Sequence, residues 1–155
     1  MNLIESKLCD IQGRLFELSV EKGYDSKLFV KHFMLSKVAE NLDSVYNRMQ
    51  WAGEEYLLEE LMDECGDALK KTEKVITKNE IYWIGYIYRY WHYYRDESSK
   101  KIYKQAPFER MKINYLMFHT MAPEMAIDDL IEIFNQNQSL SLIHISEPTR
   151  RVVIS

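Results

Sequence analysis

Apolar residues recur every three to four positions along nearly the whole chain, and alternating apolar and polar residues are almost absent before residue 140. This spacing places apolar side chains on one face of an α-helix, whereas a half-buried strand needs alternation. The pattern therefore predicts an all-α protein. About 139 residues suffice for one hydrophobic core. We expect a single-domain irregular bundle of about six or seven helices around a central aromatic helix at about residues 79–97.

Cap and stop residues predict where the helices begin and end. Gly23 ends a first helix that starts near Leu3. Ser26, Ser36 and Asn79 are good N-caps, because their side chains accept hydrogen bonds from free backbone N–H groups. The predicted helices cover residues 3–22, a segment from Ser26, its continuation from Ser36 to Met49, 54–65, 79–97, a segment from Pro107 to 119–121, and a last one from Pro123, with connectors at 66–78 and 100–105.

Most of the ten residues 82–91 are aromatic, and they surround one glycine and one arginine. A helix of this composition is buried on nearly every side, so we expect it to form the axis of the fold. Gly85 costs about 1 kcal/mol relative to alanine inside a helix, and close approach of another helix is the expected compensation. Because aromatic residues occupy three faces, some tyrosine hydroxyls should reach polar partners or the surface.

Arg89 is the residue in this helix that most needs a partner. Its neighbours one turn away include Tyr86, Gly85 and His92, so the guanidinium starts among aromatic rings. A lone buried charge costs several kcal/mol, and an ion pair with an acidic residue such as Asp43 would satisfy it. The alternative is that Arg89 recognises a ligand or a partner directly.

The residues around Arg89 form one candidate interaction or structural site. Its members are Asp43, Tyr46, Tyr82, Gly85, Tyr86, Arg89, Trp91 and His119. None is assigned as catalytic, cofactor-binding or metal-binding, because the histidines before residue 140 lack helical metal-ligand spacing and no catalytic or phosphate-binding motif occurs. We expect His119 to favour the negative end of a helix rather than to catalyse a reaction.

The charge distribution leaves two interpretations open. Residues 78–115 carry eight Lys and Arg against four Asp and Glu, whereas the segments on both sides are acidic. In a bundle these segments can neutralise one another, and we favour that interpretation. The alternative is a nucleic-acid-binding surface in which aromatic rings stack on bases beside the basic residues, namely Lys100, Lys101, Lys104, Arg110 and Lys112.

The remaining composition favours a cytoplasmic protein without a membrane span. Cys9 and Cys65 have neither metal-ligand nor CxxC spacing, and residues 1–23 are charged throughout, unlike a secretory leader. Arg89, His92 and Arg95 interrupt the longest aromatic and apolar segment, which excludes a run of about 18 apolar residues.

The last sixteen residues do not resemble the rest of the chain. Residues 140–150 resemble a translated sequencing-library adapter, so we assign residues 1–139 to the helical domain and treat 140–155 as a non-native tail. Since such a tail would not have been selected to pack, we expect it to be extended, solvent-exposed or poorly defined, with few contacts to the helical domain. The alternative is a native β-strand tail that uses Leu142, Ile143 and Ile145, followed by residues 152–154.

Several segments together resemble a family of small helical proteins of Firmicutes and related gut bacteria. They are residues 33–36, 42–46, 82–91, 102–104 and 115–120, and the resemblance spans about 29–130. Genes of this family lie beside small genes that include ADP-ribosyltransferase-like toxins. The resemblance implies an antitoxin or an accessory component of a toxin-antitoxin cassette, with a toxin or another cassette component as the protein partner and no cofactor.

The sequence thus predicts a protein-protein interaction module rather than an enzyme. A nucleic-acid-binding helical module is the first alternative. An enzyme is the second, with Arg89, Asp43, Tyr46 and His119 near a pocket.

Overall fold

The computed structural model describes residues 1–44, 51–73 and 76–146, with side chains described up to Ser139. Within these residues the chain forms eight α-helices and no strand, which confirms the all-α prediction. They are α1 (Leu3–Glu21), α2 (Ser26–Met34), α3 (Lys37–Asp43), α4 (Glu54–Cys65), α5 (Lys78–Arg95), α6 (Ser99–Gln105), α7 (Phe108–Phe118) and α8 (Pro123–Ser146), with a 3₁₀ turn at Gly66–Ala68 after α4.

The aromatic helix α5 lies against α1, and this pair packs more extensively than any other described pair. Two glycines allow the close approach. A Cβ atom at Gly85 would lie 2.7 Å from the carbonyl oxygen of Gln12 and 2.8 Å from Cγ of Phe16. A Cβ atom at Gly13 would lie 2.6 Å from the ring of Tyr82. The predicted close contact at Gly85 is therefore confirmed.

The core lies between this pair and the shorter helices. The ring of Phe16 meets those of Phe29 and Phe33 edge to face, with centroids 5.5 and 5.4 Å apart. Tyr88 and Trp91 are also fully buried on α5. Buried aromatic groups of this kind give the largest apolar contribution per residue.

Two predicted N-caps are wrong by one or two residues. Asp25 rather than Ser26 caps α2, accepting a hydrogen bond from the backbone of Leu28. Thr77 rather than Asn79 caps α5, because Thr77 and Glu80 form a reciprocal capping box that satisfies two backbone donors. Ser36 caps α3 as predicted.

Three boundaries differ more widely from expectation. The helix α3 ends at Asp43, and Ser44 has an extended backbone, so α3 is shorter than the helix predicted to reach Met49. The predicted connector at 100–105 belongs to a regular helix, α6, which raises the number of helices from the expected six or seven to eight in the described residues. The last helix, α8, continues to Ser146, so the backbone of residues 140–146 is helical and not extended. Residues 124–147 contain no proline or glycine, and a helix can continue through such a segment. Residues 147–155 lie outside the described part of the chain.

Candidate interaction surfaces

Arg89 is the centre of a buried polar network. Its side chain is 1% exposed, and Nη1 lies 2.7 Å from Oδ1 of Asp43. Nε donates to Oε1 of Gln12 at 2.8 Å, and Nη2 donates to Oγ of Ser99 at 3.4 Å. The predicted ion pair between Arg89 and Asp43 is confirmed.

The partners of Arg89 are themselves bound to the backbone of other helices. Asp43 accepts hydrogen bonds of 2.8 Å from both the backbone N–H and the hydroxyl of Ser99, at the start of α6. Gln12 donates to the carbonyl oxygen of Gly85 at 2.9 Å. The network therefore connects α1, α3, α5 and α6, and its geometry indicates a structural role.

Sequence reasoning missed Gln12 and Ser99. Gln12 lies on the buried side of α1 between Leu8 and Leu15, at the spacing of an apolar stripe. A polar residue in an apolar stripe requires a buried partner, so this signal was available. Ser99 had no comparable signal, because the segment around it was predicted to be a connector.

A small cleft lies beside the network. It has a volume of about 360 Å³, and Asp43, His92 and Tyr93 line it together with Ile4 and Leu8. Nδ1 of His92 lies 2.7 Å from the carbonyl oxygen of Glu97, so this nitrogen carries a proton. The Tyr93 hydroxyl is buried and has no hydrogen-bond partner within the described residues. Burial raises the pKa of Tyr93 to about 12, so the phenol stays neutral near pH 7.

Three further candidate residues lie along α5. Trp91 is fully buried, and its indole N–H donates to Oε1 of Glu97 at 3.0 Å. Tyr82 donates to Oδ1 of Asp10 at 2.5 Å. The ring of Tyr86 lies half-buried, 6.0 Å from the ring of Tyr82. The prediction that phenol hydroxyls reach polar partners is confirmed for Tyr82.

The other two candidates do not join this group. His119 is the exposed C-cap of α7, where its ring stacks on Tyr115 with centroids 4.3 Å apart and its Nδ1 lies 2.7 Å from the Tyr115 carbonyl oxygen. The helix-end interpretation of His119 is confirmed. Tyr46 lies outside the described residues.

Within the described residues, no group of His, Cys, Asp and Glu side chains could hold a metal ion.

The basic aromatic segment 78–115 divides into two kinds of side chain. The lysines Lys100, Lys101, Lys104 and Lys112 are exposed, whereas most of the aromatic rings lie buried or half-buried. Acidic helices supply several partners: Tyr94 donates to Asp128 at 3.0 Å, Tyr90 donates to Glu124, and Lys78 lies 3.0 Å from Glu21. Rings held in this way are poorly placed to stack on bases.

The outer side of α7 is apolar. Ile113, Leu116 and Met117, spaced by three and four residues, are 78%, 80% and 69% exposed. The inner side of the same helix buries Phe108, Met111 and Phe118. We call the three outer residues the α7 face. A helix with apolar residues on two sides is typical of one that packs against two neighbours.

A second apolar surface lies between α1 and the start of α4. Its cleft of about 420 Å³ is lined by apolar side chains and by the charged side chains of Lys7, Asp10, Arg14 and Glu54. We call its apolar part the Trp51 groove: Ile4, Leu8, Ile11, Trp51 and Ala52. Trp51 is 76% exposed. Protein interfaces usually combine apolar and charged side chains in this way.

None of the described helices combines the length and the apolar character that a membrane crossing requires.

Comparisons with known proteins give one distant likeness. The chain is 25% identical over 134 residues to a pentatricopeptide repeat-containing protein of Arabidopsis thaliana, covering 86% of this chain and 19% of that protein. The chain thus spans about a fifth of the length of that relative. No family model matches the chain, and no solved structure matches it. In stacked helical repeats each unit contacts only its neighbours in sequence, whereas α1 here packs mainly against α5.

Proposed function

We propose that this chain is a cytoplasmic protein-interaction module, an antitoxin-like or accessory component of a toxin-antitoxin cassette that neutralises a toxin by occluding it. The observation that carries the proposal is the α7 face. Three large apolar side chains at helical spacing face solvent there, while the opposite side of the same helix is part of the core. Exposed apolar patches rimmed by polar residues are typical of protein-binding sites.

The polar groups of the chain support binding rather than catalysis. Arg89, Asp43, Gln12 and Ser99 satisfy one another inside the bundle. His119 stacks on Tyr115 at the end of α7. Of the residues suggested for an enzyme, Arg89, Asp43 and His119 are therefore occupied in structural contacts, and Tyr46 lies outside the described residues.

The proposal is tested by identifying the genes beside that of the chain and by co-expressing the chain with any ADP-ribosyltransferase-like toxin found among them. The wild-type chain should restore growth and co-purify with the toxin. Leu116→Ser, which removes the centre of the α7 face, should abolish both effects because hot-spot residues dominate an interface. Leu3→Ser is the matched control, since Leu3 is 85% exposed on a different helix.

Two outcomes would overturn the proposal. One is that the wild-type chain neither binds nor neutralises the adjacent gene product. The other is that the chain binds single-stranded RNA and loses this binding when Lys100, Lys101 and Lys104 on α6 are replaced, which would favour the nucleic-acid alternative.

A further inference from the structure

The Trp51 groove carries the residue types that anchor protein interfaces. Trp51 stands at its edge with most of its side chain exposed, and Arg14 lies beside it. Tryptophan and arginine are enriched among the residues that contribute most to binding. Ile4, Ile11 and Ala52 supply apolar surface against which one bulky side chain could pack.

The groove continues into a strongly acidic cleft on the same two helices. The two share Asp10, Arg14 and Glu54, and the second adds Glu17, Glu21 and Glu55. Two of these carboxylates already form ion pairs with basic side chains. Asp10 lies 2.8 Å from Nε of Arg14, and Glu21 lies 3.0 Å from Nζ of Lys78.

Three carboxylates of this cleft have no ion pair within the described residues. We call Glu17, Glu54 and Glu55 the acidic rim. Glu54 and Glu55 occupy the first turn of α4, where the helix dipole stabilises negative charge. Burial raises the pKa of Glu17, the nearby charge of Lys78 opposes this rise, and the neighbouring carboxylate of Glu21 adds to it. A cation placed over the rim would be attracted by its three carboxylates.

We infer that the Trp51 groove binds a basic, apolar segment of a protein partner. One bulky apolar side chain of the segment packs against Trp51, and lysine or arginine side chains that follow it lie over the acidic rim. This inference rests on the proposed interaction function and adds the chemistry of the partner, at a surface separate from the α7 face. An acidic segment would meet like charges, which interfaces avoid.

The test uses a fluorescein-labelled amphipathic peptide of leucine and lysine, about 14 residues long so that it can form a helix. Fluorescence anisotropy should show binding to the wild-type chain. Trp51→Ala and, in separate proteins, Glu54→Lys and Glu55→Lys should each weaken binding about tenfold or more. Glu132→Lys is the matched control for net charge, because Glu132 is exposed on α8, and it should change binding less than about twofold.

Three results would overturn the inference. A peptide with glutamate in place of lysine could bind equally well, Trp51→Ala could bind like wild type, or Glu132→Lys could weaken binding as much as Glu54→Lys. The last result would mean a general attraction to an acidic protein. If the peptide test fails while the wild-type chain still neutralises the toxin, only this inference is wrong. If the peptide binds as expected and neutralisation fails, the inference about the Trp51 groove stands and the proposed role in the cassette is wrong.

Discussion

At the scale of single residues, the guanidinium of Arg89 shows how a buried charge is accommodated. Groups from three other helices surround it, and its strongest partner, Asp43, is 2.7 Å away. Removing one member of such a pair strands the other in the interior, and the cost of the stranded charge exceeds the net stabilisation from the intact pair.

Arg89→Ala and Asp43→Ala should each lower the free energy of unfolding by about 3 to 5 kcal/mol. The double variant should lose less than the sum of the two, because neither charge is then left alone. Urea denaturation of the two single variants and the double variant measures the three free energies of unfolding. Arg14→Ala is the control: its pair with Asp10 is exposed, so the midpoint should hardly change. Additive losses, or a fully stable Arg89→Ala protein, would contradict the structural role.

Gly85→Ala should destabilise the protein by about 1 to 3 kcal/mol, although alanine is the better helix former. The added methyl group would meet the backbone oxygen of Gln12 at 2.7 Å, and a backbone cannot move aside as a side chain can. Gly66→Ala is the control, since its nearest neighbour is the flexible end of Met62 at 3.2 Å. A higher denaturation midpoint for Gly85→Ala would mean that the two helices can separate at little cost.

Tyr93→Phe should leave stability unchanged or raise it, because the variant removes a buried hydroxyl that has no partner in the described residues. Tyr88→Phe gives the opposite case. The Tyr88 hydroxyl is buried and donates to the carbonyl oxygen of Ala106 at 2.6 Å, so removing it should lower the free energy of unfolding by about 1 to 3 kcal/mol. Thermal melts of the two variants, run together, check the difference in sign. Equal losses would show that the Tyr93 hydroxyl has a favourable contact after all.

At the scale of elements, Glu97 joins the end of α5 to α6. Its Oε1 accepts hydrogen bonds from Trp91 at 3.0 Å and from Gln105 at 2.8 Å. Partial burial on its own raises the pKa of the Glu97 carboxyl, but these bonds and the nearby charge of Lys101 hold the net pKa below its ordinary value.

The contacts of Glu97 with Trp91 and Gln105 should therefore stabilise the fold less in acid. Because the folded-state pKa lies below that of the unfolded chain, the stabilisation is present above the unfolded value and is lost as the pH falls through the folded value. Between about pH 5 and pH 3, the urea midpoint of wild type should fall more steeply than that of Glu97→Gln. Parallel slopes would show that Glu97 titrates as it does in the unfolded chain.

The elements show what could be predicted from sequence. Apolar spacing predicted α1 and α4 almost to the residue, because each has a clear stripe and a glycine at one end. The cap of α5 was misplaced because Thr77 and Asn79 are both good caps, and only the glutamate at position 80 selects the first through a capping box. The helix α6 was missed because Lys100, Lys101 and Lys104 leave it few apolar positions.

The candidate surfaces were harder to predict than the ion pair. Arg89 and Asp43 could be paired because a buried charge demands a partner. The α7 face could not be recognised, since Ile113, Leu116 and Met117 have the same spacing as a core stripe. Only the packed structure separates the side of a helix that the bundle covers from the side that it leaves open.

At the scale of the whole molecule, the last described side chains of α8 lie outside the core. Residues 135–139 are exposed, whereas Ala126, Ile127 and Leu130 are fully buried. A chain ending at Ser139 should therefore melt within about 2 °C of the full chain, less than the shift expected for 1 kcal/mol. A chain ending at Asp129, which lacks Leu130, should melt several degrees lower. A similar loss for the chain ending at Ser139 would show that residues 140–155 contribute to the core.

The pairing of α1 with α5 also has a consequence for synthesis on the ribosome. The helix that covers the inner side of α1 is complete only roughly 70 residues after α1 itself. At elongation rates of about 5 to 20 residues per second, several seconds pass before that helix is available. Leu15 and Phe16, both fully buried in the finished protein, lack this cover during the interval. The nascent chain therefore presents an uncovered amphipathic helix to chaperones and proteases until α5 emerges.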